Sequence, residues 1–139
     1  MKNLSRSKKV GLILGVVLLV FSVAFLTFDT ATPGTALYSG KRSIESLRES
    51  LVFTNQGKAE FNLMIATKRM DEAELLVVRG DQDEVHKALE EEKVRRDLGL
   101  RYAEILPDED IVNSLLDKSE DLRIRALELR RLLREQDES

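Results

Sequence analysis

Nineteen consecutive residues, Val10 to Phe28, carry no charge and are mostly apolar, and they divide this 139-residue chain into two unequal parts. A helix rises about 1.5 Å per residue, so such a run just covers a hydrocarbon core of roughly 30 Å. The run is therefore predicted to cross the lipid bilayer as a helix. Lys2, Arg6, Lys8 and Lys9 precede it and Asp29 follows it, so the positive-inside rule places the N-terminus in the cytoplasm and the rest of the chain outside. A cleaved signal peptide, leaving a secreted product, is the competing reading. Its apolar region is usually about 7–15 residues long, shorter than this one, and the small-residue patterns Thr30-Ala31-Thr32 and Gly34-Thr35-Ala36 lie beyond the apolar core. A retained signal-anchor is the expectation. With no cysteine in the sequence, neither disulfides nor lipoprotein attachment through a thiol can form.

Charge separates the two sides of this run. All 25 acidic residues but only 18 of the 22 basic ones follow it, giving Asp29 to Ser139 a formal charge of −7. Such a domain repels nucleic acid and anionic lipid surfaces, so nucleic acid is not an expected partner.

Punctuation within the domain is sparse: Pro33-Gly34, Asn55-Gln56-Gly57, Gly80-Asp81 and Pro107-Asp108 leave four stretches without proline. Each has helical periodicity, predicting helices over about 37–53, 58–79, 82–106 and 108–135. In the first, Leu37, Ile44, Leu47 and Leu51 share a face. In the second, Ala59, Leu63, Ala66, Met70, Ala73 and Val77 follow a four-three alternation, as in a coiled-coil seam. The third has apolar positions at Val85, Ala88, Leu89, Leu98, Tyr102 and Ile105, but Glu90 to Arg96 is almost wholly charged around Val94, which predicts a solvated middle. Gly99 there costs about 1 kcal/mol relative to alanine. The fourth alternates cleanly through Val112, Leu115, Ser119, Leu122, Ala126, Leu129 and Leu133, with Asp108 as N-cap and a fraying end from Glu135. Leu51-Val52-Phe53-Thr54 is too short to pair as a strand.

The expected fold is all-α: an N-terminal transmembrane helix followed by an antiparallel helical hairpin or four-helix bundle. Its parts are a cytoplasmic tail over 1–9, the membrane helix over 10–28, a linker over 29–36 and an extracytoplasmic helical domain over 37–139. Short turns make successive helices antiparallel neighbours. Folding the first pair about Gln56 brings Leu51 near Phe61, Leu47 near Ile65 and Leu37 near Leu76. It also brings Glu45 near Arg69 and Lys41 near Glu72, as partly exposed pairs worth about 0–1 kcal/mol each.

The stretch Pro33-Gly34-Thr35-Ala36-Leu37-Tyr38-Ser39-Gly40-Lys41, Glu45, then Lys58-Ala59-Glu60 and Ala66-x-x-Arg69-x-x-Glu72-Ala73 resembles a bacterial family of uncharacterised extracytoplasmic helical domains. The family's pattern is Pro-Gly-x-x-Leu-Tyr-x-x-Lys, then Ala-Glu, then Ala-x-x-Arg-x-x-Glu-Ala. The resemblance covers about Pro33 to Arg79 and implies an exported helical module, a domain of unknown function sometimes attached to membrane-bound anti-sigma factors. It implies no known activity. The nine residues before the apolar run are too few to fold, so sigma-factor binding is not expected here. Physically, Pro33-Gly34 turns the chain away from the membrane, Leu37 and Tyr38 cover the end of the hairpin, and Lys41, Glu45, Arg69 and Glu72 interlock its helices.

Catalytic signals are sparse. His86 is the single histidine, so neither a thiol nucleophile nor a multi-histidine metal site is expected. Asp81-Gln82-Asp83-Glu84 invites a calcium reading, but the EF-hand loop needs an oxygen ligand where Val85 stands and glycine where His86 stands, which favours helix capping. Glu90-Glu91-Glu92 and Asp108-Glu109-Asp110 read as a solvated face and a helix start. No cofactor or metal is expected. Gly11 and Gly15 form a small-xxx-small pair that would let two membrane helices approach, a route to a homo-oligomer, although the spacing is common by chance. The expected function is a membrane-anchored interaction or scaffold module that binds another envelope protein and is not an enzyme. The alternatives are an elongated coiled-coil assembly protein of the cell-division type and, more distantly, an exported enzyme with an unrecognised carboxylate site.

Overall fold

The computed structural model describes residues 38–137. Four helices account for its secondary structure: α1 (Tyr38–Ser50), α2 (Asn55–Arg79), α3 (Gln82–Ala103) and α4 (Glu109–Asp137). No strand occurs among the described residues. None of these helices is long and apolar enough to cross a membrane. The Val10–Phe28 run, Gly11, Gly15, Pro33, Gly34 and Leu37 lie outside the described residues.

Helix boundaries follow local chemistry. Asn55-Gln56-Gly57 does not break the chain but forms the first turn of α2, because Thr54, in extended conformation, caps it by accepting from the Gly57 N–H at 3.0 Å. The break falls earlier, over 51–54, so α1 stops at Ser50 rather than near Phe53. Gly80 ends α2 in the left-handed region at φ 75°, and the Asp81 N–H reaches the Leu76 carbonyl at 3.1 Å, the geometry that lets a chain reverse in two residues. Asp81 precedes α3 without a side-chain capping bond, which corrects the capping expectation there. Asp108 caps α4 as expected, its Oδ1 accepting from the N–H groups of Asp110 and Ile111 at 3.1 and 3.2 Å. α4 runs on as helix to Asp137, past the fraying expected from Glu135.

Residues from Ser46 onward form one compact unit in which α2, α3 and α4 pack together, α2 against α3 most extensively. The four-three seam of α2 is the spine: Ala59, Leu63, Ala66, Met70 and Ala73 are all fully buried. One apolar cluster joins Ala66, Met70, Ala73 and Leu76 to Val85, Ala88 and Leu89 of α3 and Leu122, Ala126, Leu129 and Leu133 of α4. A smaller one joins Ala59 and Leu63 to Ala103 and Leu115, flanked by Tyr102, Leu106 and Ile111. Each fully buried leucine contributes roughly 1.5–3 kcal/mol. Gly99 lies between these helices, and a Cβ built there would stand 2.9 Å from Leu63 Cγ, so the missing side chain lets α2 and α3 approach.

Two expected faces are wrong. In α1 the buried residues are Lys41 and Glu45, whereas Leu47 and Leu51 are both 64% exposed. The inward contacts expected of Leu47 and Leu51 are therefore not made, because the helix buries its charged i, i+4 face instead. In α3 the solvated middle is interrupted at one position, Glu92. Glu92 is fully buried and Val94 is 56% exposed, since the seam runs through Val85, Ala88, Glu92, Gly99 and Ala103 and Val94 lies off it. Ile105 is likewise exposed, beyond the end of α3.

Candidate functional site

Charged side chains enter the interior at the positions the seam leaves open. On α3, Glu92 and Arg96 separate the residues of the two apolar clusters, as Ser119 does on α4. Arg69 on α2 is fully buried, and its Nη1 donates to both carboxylate oxygens of Glu72, one turn further along, at 2.8 Å each. Its Nε stands 2.9 Å from Glu91 Oε2 of α3, an ion pair that ties the two helices together. A guanidinium is planar and always charged, so this bidentate use fixes both rotamer and register.

Beside this group, Arg96 Nε donates to Glu92 Oε1 at 2.8 Å, while Glu92 Oε2 is buried with no hydrogen-bond partner. Burial raises the Glu92 pKa above its ordinary value, opposed by the hydrogen bond from Arg96. Arg95 Nη1 bridges Glu49 Oε1 of α1 at 2.7 Å and Asn62 Oδ1 of α2 at 2.9 Å. Nearer the surface, Arg125 of α4 reaches Asp71 and Glu74 of α2 at 2.8 and 2.9 Å, which holds its own pKa up.

The motif residues divide by helix. On α2, Ala66 and Ala73 are core residues and Arg69 and Glu72 form the buried pair. On α1, the Lys41 ammonium lies 6.0 Å from the Tyr38 ring centroid and Arg42 lies 3.9 Å from Glu45. Lys41, Glu45, Arg69 and Glu72 are all buried, at 7% exposure or less, so these charges are not the partly exposed ones expected. Glu92 was missed as an interior residue, and Glu91, Arg95 and Arg96 as its half-buried neighbours, because the charged run looked uniformly hydrophilic. Reading the heptad from Val85 through Gly99 to Ala103 would have found Glu92.

Chemically, the arrangement holds helices together. Its carboxylates face guanidinium groups, and Glu92 Oε2 lies in the interior without a hydrogen-bond partner. Among the described residues no three His, Asp or Glu side chains gather to hold a metal ion. Asp81 and Asp83 are exposed, and Glu84 pairs with Lys87 at 2.5 Å. Exposed His86 stands at the edge of an open groove of about 510 Å³ between α3 and α4. Leu89, Leu127 and Leu133 line this groove, whose carboxylate, Glu90, lies 3.6 Å from Arg130.

The chain matches no curated protein and no solved structure. It does match, over residues 30–122, the family described as a domain of unknown function, DUF5667. That span holds α1, α2, α3 and the first half of α4, and with them the whole buried charge group. The chain belongs to the DUF5667 family of uncharacterised domains.

Proposed function

We propose that this protein is a single-pass, membrane-anchored helical interaction or scaffold module on the outer side of the bacterial cell membrane, with no catalytic step of its own. The observation carrying this reading is the use of Arg69, Glu72 and Glu91 in joining α2 to α3, which spends the family motif on architecture. What remains for recognition is the surface. There, Leu116, Ile124, Leu127 and Leu132 of α4 are each 45–52% exposed on a domain of net negative charge. The sequence supports the placement through the Val10–Phe28 run and its basic flank. The opening Pro-Gly motif and a link to envelope signalling rest on the resemblance alone.

An elongated coiled coil of the cell-division type fits less well, because Gly80 and the turn over 104–108 fold α2, α3 and α4 back on one another. A chain without native cysteine makes the topology directly testable. In intact cells a membrane-impermeant maleimide should label Ser114→Cys and spare Ser5→Cys; the opposite pattern would overturn the orientation. In-cell crosslinking of the full-length protein with mass spectrometry should recover a protein partner, and turnover of a substrate by the purified chain would overturn the non-catalytic reading.

A further inference from the structure

α4 is polarised along its length. From Glu109 to Asp121 it carries five acidic residues and one basic, and from Leu122 to Arg134 five basic and one acidic. Turn-by-turn pairing within the helix uses only part of this charge, Glu120 with Arg123 and Arg131 with Glu135, and like charges are concentrated at each end. This distribution is complementary to a second copy running the other way. Part of the charge is used within the domain, by Arg125 with Asp71 and Glu74 and by Arg130 with Glu90. Asp117, Glu120, Arg123, Arg131 and Arg134 stay on the exposed side. On that side Leu116, Ile124 and Leu127 are 45%, 47% and 52% exposed.

We propose that α4 pairs with α4 of a second copy of this chain, antiparallel, about a two-fold axis near residues 121–122. Helix geometry then sets Leu116 opposite the second copy's Leu127, Glu120 opposite Arg123 and the acidic first half opposite the basic second half. Apolar contact forms the centre, and charge selects direction over a parallel pairing, which would set acid against acid and base against base. The pairing deepens the interaction reading above and rests on it, with a second copy as the partner.

The test uses full-length protein in a non-ionic detergent, with cysteines introduced singly. Leu116 and Leu127 lie about 16 Å apart along one helix, too far for a disulfide within one chain. Mild oxidation of Leu116→Cys mixed with Leu127→Cys should give the mixed dimer at least tenfold in excess of either homodimer. Arg123→Glu should lower that yield at least tenfold, and Arg123→Glu with Glu120→Arg should restore it to within threefold, with helix content unchanged by circular dichroism. Homodimers as abundant as the mixed species would overturn the antiparallel pairing. So would the absence of any α4 crosslink. If these cysteines stay unlinked while in-cell crosslinking recovers a different envelope protein, self-pairing fails and the interaction reading stands.

Discussion

Gly99→Ala sets two physical effects against each other, and the structure decides between them. In an isolated helix the change should stabilise by about 1 kcal/mol, because alanine is the better helix former. Here the added Cβ would stand 2.9 Å from Leu63 Cγ, 3.1 Å from Leu63 Cδ2 and 3.2 Å from the Ala59 carbonyl oxygen. Leu63 is fully buried, and the nearest atom is its branch carbon, so rotating the side-chain tip does not clear the overlap. The carbonyl belongs to the α2 backbone and yields only if the helix moves. Overpacking of this kind costs about 1–3 kcal/mol, which leaves a net loss of about 1 kcal/mol and at most about 2. For a domain of this size that lowers Tm by about 4–8 °C per kcal/mol. Urea denaturation of the full-length chain in non-ionic detergent, followed by circular dichroism, measures it. Val94→Ala, at an exposed position of the same helix, is the control for propensity and should stabilise slightly. In a Leu63→Ala background the Gly99→Ala penalty should shrink, leaving only the contact with the Ala59 carbonyl oxygen. A gain of about 1 kcal/mol from Gly99→Ala in the parent protein would refute the close-approach argument.

Three further outcomes follow from the charges and caps. Arg69→Met leaves Glu72 buried without its guanidinium and should cost about 3–5 kcal/mol in urea denaturation, whereas Arg125→Ala, in an exposed network, should cost about 0–1 kcal/mol; equal losses would contradict the contrast. Because burial raises the Glu92 pKa, the folded state keeps its proton over a pH window above the ordinary carboxylate range in which the unfolded chain has lost it. The stability contribution of Glu92 is thus present at acid pH and lost as pH rises through that window, so Glu92→Gln should match the parent near pH 4 and exceed it in stability by pH 7; a difference independent of pH would count against this. Thr54→Ala should cost about 0.5–2 kcal/mol and Asp81→Ala less than about 0.5 kcal/mol, since only Thr54 makes a side-chain capping bond, and the reverse order of denaturation midpoints would sink the assignment.

What the sequence made legible was the part governed by apolar periodicity. The seams of α2 and α4 could be written down residue by residue, because Ala59 to Ala73 and Leu115 to Leu133 repeat without interruption. The Asp108 cap was equally readable, from one side chain beside one proline. Reading failed where charged residues occupy interior positions. Glu92 and Arg96 sit on the inward face of α3, and Lys41 and Glu45 are the buried residues of α1. Hydropathy assigns such residues to solvent, and only the register of their neighbours reveals otherwise. The same blindness sent Leu47 and Leu51 inward when each is exposed. Of the candidate site, the Arg69–Glu72 spacing was visible as a motif, but its partner Glu91 comes from another helix and carries no local signal.

The family match ends at residue 122, yet α4 continues for fifteen residues beyond it. Ala126, Leu129 and Leu133, which close the larger apolar cluster over Leu76, Val85 and Leu89, all lie in that tail. Recognisable family sequence and foldable unit are thus different objects in this chain. A fragment trimmed to the family boundary would keep the shared motif and lose the lid of its own interior, so tolerance of deletion should stop well past the point where resemblance does.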